Sequence, residues 1–599
     1  MTETREVPSR DDIDEKFKWD LSPLYRGVEP WEEEFRLIEE EIPHLTSFKG
    51  KLSGSNSVIA QYIRFSDELS RKLERSYTWS HLKHDEDLND PLYQSIHDRI
   101  INLMVKIETA TAFFVPEILS LPEDRIEGLL KDPELEFARV PLRSIIRTRK
   151  HFLSEKEERL LAMAEDVLEA SSKTYRMLND ADLRFPSVTD GEGNIIEISH
   201  GRFLGLMLDP EREVRKRTLE GYYSPYQSFR NTFTSTLEGE LKRRAFNAKA
   251  RNYSSALEAS LDSDEVSEDL YDSLIDAVHG ALPDFHRYIE LRKRALGVDE
   301  LHIYDVYVPL VGKFERKFDF EEAKGLVLNA LSPLGDDVLN IVSGGLSSRW
   351  IDVYENRGKR SGAYSSGCYD SPPYILMNYD GNIREVFTIA HEMGHSVHSY
   401  LSNRQQPHIT ADYRIFVAEV ASTVNEVLLL HYLMDIWKTE EEQAYLVNHY
   451  LESFKGTVFR QTMFAEFEKS VQAMVEEGIP LTPDLLMDQY GKLNRKYFGP
   501  NMTIDLQIEL EWARIPHFYY NFYVYKYATS FCAANAIASR ILRGDASQLE
   551  RYTSLLKAGG SKPPVDLLKE AGVDLRTVDP ITEALNEFGD LVTHMDRLI

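Results

Sequence analysis

Apolar residues recur at three- and four-residue spacing along most of this 599-residue chain, with charged faces between them. Segments 31–45, 58–82, 91–118, 154–178, 264–296 and 441–478 all carry the pattern. It is the mark of helices that bury one stripe and solvate the other, so the fold class is mostly α. Strand signals are few. Leu183–Ser199 alternates around Asp190-Gly191-Glu192-Gly193 and predicts one hairpin. Leu301–Leu310 and Pro373–Asn378 are short apolar or aromatic runs bounded by turn residues. A chain this long exceeds one simple core, so two or more lobes are expected. The seam is placed near residues 180–200, where the helical array gives way to the hairpin. That division gives a helical N-terminal lobe over 1–200 and a larger lobe over 201–599 carrying a small sheet.

Charge removes several classes of partner. Lys plus Arg total 70 against 99 for Asp plus Glu, a formal net charge of −29. Such a surface repels phosphate backbones and anionic lipid, so neither nucleic acid nor membrane is an expected partner. No run of about 18 apolar residues is read along the chain, so no membrane span is expected. Two cysteines, Cys368 and Cys532, exclude a disulfide scaffold and a Cys-rich metal site. With the polar start MTETREVPSRDDIDEKF, they point to a cytoplasmic protein.

The chemistry concentrates in Asp380-GNIREVFTIAHEMGHSVHSYL. Asp380 to Asn382 offers a helix start, and Val386, Ala390, Met393, Val397 and Leu401 follow at helical spacing. His391 and His395 are then one turn apart on a single face. That is the placement two imidazole nitrogens need to share one Zn²⁺ at roughly 2.0–2.1 Å. Glu392, between them, is turned away from the pair yet close enough to serve as base toward a water at the metal. A second helical pattern, YRIFVAEVASTVNEVLLLHYLMD, sets Glu419 in an apolar stretch 24 residues beyond His395. A glutamate there is expected only if paired or bound to metal. It would be the third ligand and leave a fourth position open, as catalytic zinc requires. Ser422 and Glu426 share its face and could stand behind the histidines to orient them. His398 also lies on the ligand face, where packing or a supporting hydrogen bond is expected of it.

RIPHFYYNFYVYKYATSF, Arg514 to Phe531, crowds Tyr519, Tyr520, Tyr523, Tyr525 and Tyr527 behind His517. A plain core does not favour so many phenols, because each buried hydroxyl needs a partner. A cleft wall that binds peptide and donates to a developing oxyanion uses them. One or two of the tyrosines with His517 are therefore expected to be catalytic, and the rest structural. SGAYSSGCYDSPPYILMNY, before the histidine helix, offers close backbone approach at Gly362 and a run at Tyr374 that reads either as an edge strand for substrate or as a loop. Cys368 is read as a packing residue.

Taken together, the HEMGHSVH helix, FVAEVAST with Glu419, RIPHFYYNFYVYKYAT, the N-terminal WDLSPLY and PYILMNYDGN resemble the oligoendopeptidase F branch of the thimet-oligopeptidase superfamily. The resemblance extends over nearly the whole chain. It implies a two-lobed helical ellipsoid with a deep central channel and a small sheet beside the zinc helix. It also implies endopeptidase action on short, unstructured peptides, because such a channel excludes folded proteins. Carried over residue by residue, His391, His395 and Glu419 fall on the ligands of one zinc per chain, and Glu392 on the general base. His517 with Tyr523 is the preferred oxyanion pair, and Tyr520 is a further catalytic candidate. Tyr519, Tyr525, Tyr374 and Gly362 are expected to bind substrate. The histidine lies nearer its tyrosines here than in the thimet branch, which leaves the choice of tyrosine open. Two rivals remain: a zinc carboxypeptidase, which needs a cation for a free carboxylate, and a non-catalytic helical scaffold, whose usual mark is a lost ligand.

Overall fold

Local signals start the helices where the periodicity asks for them. The computed structural model describes residues 6–312 and 316–599. In chain order the elements that matter here are α1 (Val28–Thr46), α2 (Asn56–Glu86), α3 (Pro91–Thr111), β1 (Ile351–Asp352), β2 (Tyr364–Ser366), β3 (Tyr374–Leu376), α4 (Ile383–Gln405), α5 (Ile415–Ile436), α6 (Glu440–Phe454), α7 (Arg460–Glu476) and α8 (Tyr525–Leu542). The Ser55 hydroxyl caps α2 by accepting from the Val58 N–H, and Asp90 followed by Pro91 opens α3. The chain is mostly helical, with three small sheets among the described residues.

The chain divides into two compact units, each assembled from three segments. Among the described residues, one holds 6–152, 316–432 and 537–572; the other holds 153–312, 433–536 and 573–599. The seam expected near residues 180–200 thus falls inside the second unit, and the chain first changes unit after Phe152. Packing explains the difference. The apolar faces of α1, α2 and α3, with Trp31, Ile59, Trp79 and Ile100, share one core with Cys368, Tyr374 and Leu376 far along the chain. A division read along the sequence cannot register a core closed by a segment more than 250 residues away.

In the first unit, β1, β3 and β2 form one sheet in that order. β3 runs parallel to β1, with Ile351 beside Ile375, and antiparallel to β2, with Ser365 beside Ile375. The expectation of an edge strand at Pro373–Asn378 is therefore corrected. Tyr374–Leu376 is the central strand, buried at all three residues, and the two edges are Ile351–Asp352 and, from the Gly/Ser-rich stretch before it, Tyr364–Ser366.

The hairpin read around residues 183–199 forms between Ser187–Thr189 and Ile195–Glu197 in the second unit. There α6 and α7 are joined by a π-helical turn, Lys455–Phe459, inside the span 441–478 that reads as one continuous pattern. A π turn adds a residue to the helical circuit and re-aims the side chains on it, and three- to four-residue periodicity is too forgiving to reveal that. Against the expectation that no apolar run is long enough to span a membrane, α5 passes on length and composition, with a mean hydropathy of 1.3 over its best window. That window is 67% buried inside the protein and includes both Glu419 and Glu426.

Candidate metal centre

The helix that carries the histidines is fixed at its first turn. The Asn382 side chain accepts from the Glu385 N–H at 3.1 Å, and Asp380 in turn accepts from the Asn382 N–H at 2.9 Å. Gly381, at φ +84°, makes the turn before it; a Cβ there would stand 2.9 Å from the Phe318 carbonyl oxygen. From this start α4 presents His391 and His395 on one face, with their Nε2 atoms 3.2 Å apart.

The third donor arrives because α5 lies hard against α4. A Cβ on Gly394 would meet the Ala421 carbonyl oxygen and the Ser422 Cα, each at 2.6 Å, and both belong to the α5 backbone. Only glycine permits that approach. It brings Glu419 Oε2 to 3.6 Å from His391 Nε2 and 3.8 Å from His395 Nε2. The three donor atoms lie within 4.8 Å of one another, the one such group found among the described residues. An ion held at roughly 2.0–2.1 Å by tetrahedral ligands would separate its donors by about 3.3 Å. Two imidazole nitrogens and one carboxylate oxygen also form a donor set that zinc takes, so the residues present fit a divalent metal. Gly394→Ala is expected to push α5 away, costing about 1–3 kcal/mol of stability and weakening metal binding tenfold or more. Thermal melting and a chelator competition measure the two effects.

The surroundings of the donors are ordered. Glu426, two turns beyond Glu419, bonds His391 Nδ1, as expected of a residue that orients a ligand. Ser422 does something else: its hydroxyl donates to Glu419 Oε2 at 3.1 Å and to the Glu419 carbonyl, so it steadies the carboxylate and not a histidine. The Ala418 carbonyl faces His395 and favours its protonated form, and the Ser365 N–H of β2 faces the Glu392 carboxylate and favours its charged form. The Ser365 and Ser396 hydroxyls meet at 2.8 Å and tie β2 to α4, while Asn425 donates to the Ala390 carbonyl at 3.0 Å. Of these, Ala418, Ser365, Ser396 and Asn425 are not visible to sequence reasoning, since two act through their backbone and two are ordinary polar residues. His398 is buried and stacks on Tyr413 with centroids 3.6 Å apart, so it packs and does not join the donors.

The electrostatics ask for a cation. Burial drives His391 downward, but the hydrogen bond and charge of Glu426, with Glu392 and Glu419, outweigh it and raise the imidazole to about 9. Burial raises Glu392 to about 7, with His391 opposing and Glu419 and Glu426 adding to it. His395 is lowered to about 4 by burial and then by the charge on His391. Three carboxylates around two imidazoles make a field that a bound cation satisfies.

The tyrosine segment belongs to the second unit. His517 lies in a short 3₁₀ turn, Pro516–Tyr519, and its ring stacks on Tyr523 at 5.5 Å and 8°. His517 Nδ1 is buried with no hydrogen-bond partner among the described residues. Burial, then Arg514, lowers the His517 pKa; burial, with Tyr527, raises that of Tyr523. Tyr520 is exposed at 54% and stands beside both rings. Three expected substrate contacts do not hold. Tyr519 is buried, stacked on Tyr175 and bonded to the Thr236 hydroxyl at 2.9 Å. Tyr525 is 1% exposed, its ring against Tyr271. Tyr374 is 0% exposed, edge-on to Trp19 in the central strand. All three are core aromatics, because each falls where its element faces inward. Gly362 sits at φ +88°, and its carbonyl accepts from Asn378.

A mostly helical frame that brings two histidines and a glutamate to one point is the build of a helical metallopeptidase. Residues 205–587 match the profile of Peptidase family M3, and residues 117–185 that of Oligopeptidase F. Oligopeptidase PepF of Bacillus subtilis is 45% identical, over 99% of this chain and 89% of its own length. Group B oligopeptidase PepB of Streptococcus agalactiae is 38% identical, over 99% of this chain and 98% of its own. The crystal structure of oligoendopeptidase-F from Enterococcus faecium matches with a TM-score of 0.74 at 40% identity, covering 95% of this chain and 99% of that one. The chain belongs to peptidase family M3, in its oligoendopeptidase F branch, and is a metallopeptidase.

Proposed function

We propose that this chain is a zinc endopeptidase that hydrolyses internal bonds of short, unstructured oligopeptides. The observation that carries the reading is the convergence of His391, His395 and Glu419 donor atoms within 4.8 Å of one another, with Glu392 next in sequence. His391, His395 and Glu419 would hold one zinc ion per chain. When bound, the ion supplies Lewis acidity, polarising a carbonyl and making water more acidic.

Glu392 takes the proton of the attacking water and returns it to the leaving nitrogen. The Ser365 N–H faces the Glu392 carboxylate and favours its charged form, the form that takes the proton. Glu426 fixes the His391 ring from behind, and the Ala418 carbonyl faces His395. β2, at one edge of its sheet, would offer main-chain groups to an extended peptide whatever its side chains. His517 and Tyr523 are assigned as donors to the developing oxyanion, with Tyr520 as the alternative phenol. That assignment is supported by the RIPHFYYNFYVY segment and by the partnerless His517 Nδ1. The limit to short peptides is supported by the names of the relatives, which are oligopeptidases. Two buried free cysteines fit a reducing, cytoplasmic setting.

The test is direct. The purified chain should contain one zinc and cut a peptide blocked at both ends at an internal bond; chelation should stop the cleavage and zinc restore it. Cleavage confined to peptides with a free C-terminus would favour a carboxypeptidase. Absence of zinc, with none acquired on addition, would sink the reading altogether.

A further inference from the structure

The second unit holds a cavity that the proposed peptide chemistry does not use. It encloses about 70 Å³, room for roughly five to seven waters at ~10–15 Å³ each. Its floor is apolar: Phe285, Phe459, Met463 and Phe498 line it, and none is more than 5% exposed. Its mouth is cationic. Lys455 and Arg460 bracket the π-helical turn, with side chains only 15% and 22% exposed. π turns are frequent at functional sites, where the added residue re-aims side chains.

The charges around this mouth do not balance. Glu452 serves both Arg292 and Lys455, and Glu511 serves both Arg460 and Arg514. Four cations therefore share two carboxylates. The neighbouring acids are already committed: Asp305 to Arg212 and Arg215, and Glu466, which accepts from the Tyr497 hydroxyl of the cavity wall, to His279 and Lys496. In a chain of net charge −29 this is a local inversion of sign. The donors are not used up either. Arg460 makes one hydrogen bond, to Glu511, among the described residues. Lys455 bonds Glu452 and the Val306 carbonyl, which leaves one of its three N–H groups over. Burial lowers the Lys455 ammonium to about 8, with Glu452 opposing and Arg292 and Arg460 pushing the same way. A surplus of buried positive charge is costly until an anion completes it.

We propose that this pocket binds a small hydrophobic carboxylate, its charge between Lys455 and Arg460 and an aliphatic group of about four or five carbons on the phenylalanine floor. Two sources share that chemistry: a short fatty acid, and the carboxyl end of a peptide whose last residue is apolar. The proposal does not depend on the metal centre or on cleavage.

Calorimetric titration of the full chain with hexanoate, with N-acetyl-leucine and with the uncharged amide of each tests it. His391→Ala is titrated in parallel, so that carboxylates binding at the metal centre are recognised. The expected result is one site per chain for at least one acid, unchanged in His391→Ala. The amides and Arg460→Met should each weaken binding tenfold or more, and Arg460→Lys should restore most of it. Arg514 remains on Glu511 in Arg460→Met, so that carboxylate keeps a counter-ion. Met463→Trp, which fills the floor without touching a charge, should abolish binding and stands in if the arginine variant does not fold. Binding of hexanoate alone assigns the fatty acid, and of N-acetyl-leucine alone the peptide end; both support the site. The proposal is overturned by no saturable binding of either acid, equal binding of the amides, loss in His391→Ala, or indifference to both pocket variants.

Discussion

Glu392→Gln is expected to keep its metal and to lose about 10²–10⁴-fold in peptide cleavage. The substitution is close to isosteric, and the amide oxygen can still face the Ser365 N–H as the carboxylate does. His391, His395 and Glu419 are untouched, so the donor cluster and its metal affinity should survive. What disappears is a group able to take a proton from water and hand it on. The loss should therefore fall on kcat, with little change in KM, because a residue that acts only as the reaction proceeds leaves ground-state binding alone. Metal content by mass spectrometry and kinetics on a doubly blocked peptide give both readouts from one preparation. A clean preparation that stays within tenfold of the unsubstituted enzyme would remove Glu392 from the role. His395→Ala makes the contrast: it should lose metal and activity together.

The residues that make this prediction possible were legible because helical spacing is local. His391, Glu392 and His395 needed only a 3.6-residue repeat and a start at Asn382, and both are present. Glu419 was legible for a partly different reason from the one that drew attention to it. Its side chain is 36% exposed, so burial is not what marks it; its place on the face of α5 turned to α4 is. Gly394, whose missing Cβ lets the two helices meet, lay inside the motif and carried no signal of its own. Ser365 could not be read at all, because its N–H and not its side chain faces Glu392 and because only the strand order puts β2 at an edge. The tyrosines show the limit most clearly. Five phenols in nine positions announce a special surface, yet Tyr519 and Tyr525 are core and Tyr520 is exposed. Composition gives the number of hydroxyls, and only packing says which are within reach.

Glu511→Gln should destabilise the second unit by about 3–5 kcal/mol, the cost of leaving buried cations without their counter-charge. Glu511 is 0% exposed and takes hydrogen bonds from Arg460, from Arg514 at 2.6 Å and from the Tyr490 hydroxyl at 2.6 Å. Both guanidinium groups bond Oε1 and the Tyr490 hydroxyl bonds Oε2, so an amide that keeps its oxygen toward the arginines removes their counter-charge and puts an NH₂ where the tyrosine donated. Burial pushes the Glu511 carboxyl up, but Arg460, Arg514 and the Tyr490 hydrogen bond prevail and hold it at about 2. A folded value below the unfolded one, near 4.3 for glutamate, means the charge stabilises fully above the unfolded value. That stabilisation fades as pH falls toward 2. The gap in urea midpoint between the two proteins should therefore be constant from about pH 6 to 8 and shrink below about pH 4. A gap that does not change on acidification would mean that the carboxylate contributes shape and not charge. The same substitution also bears on the hydrophobic-acid pocket: with Glu511 neutral, Arg460 is freer and the positive surplus at the mouth larger. Where enough folded protein remains, hexanoate or N-acetyl-leucine should bind Glu511→Gln at least as tightly as the unsubstituted chain and recover part of the lost stability on saturation. One carboxylate would then be both a strut of the fold and the setting on an anion site, with opposite consequences when it is removed.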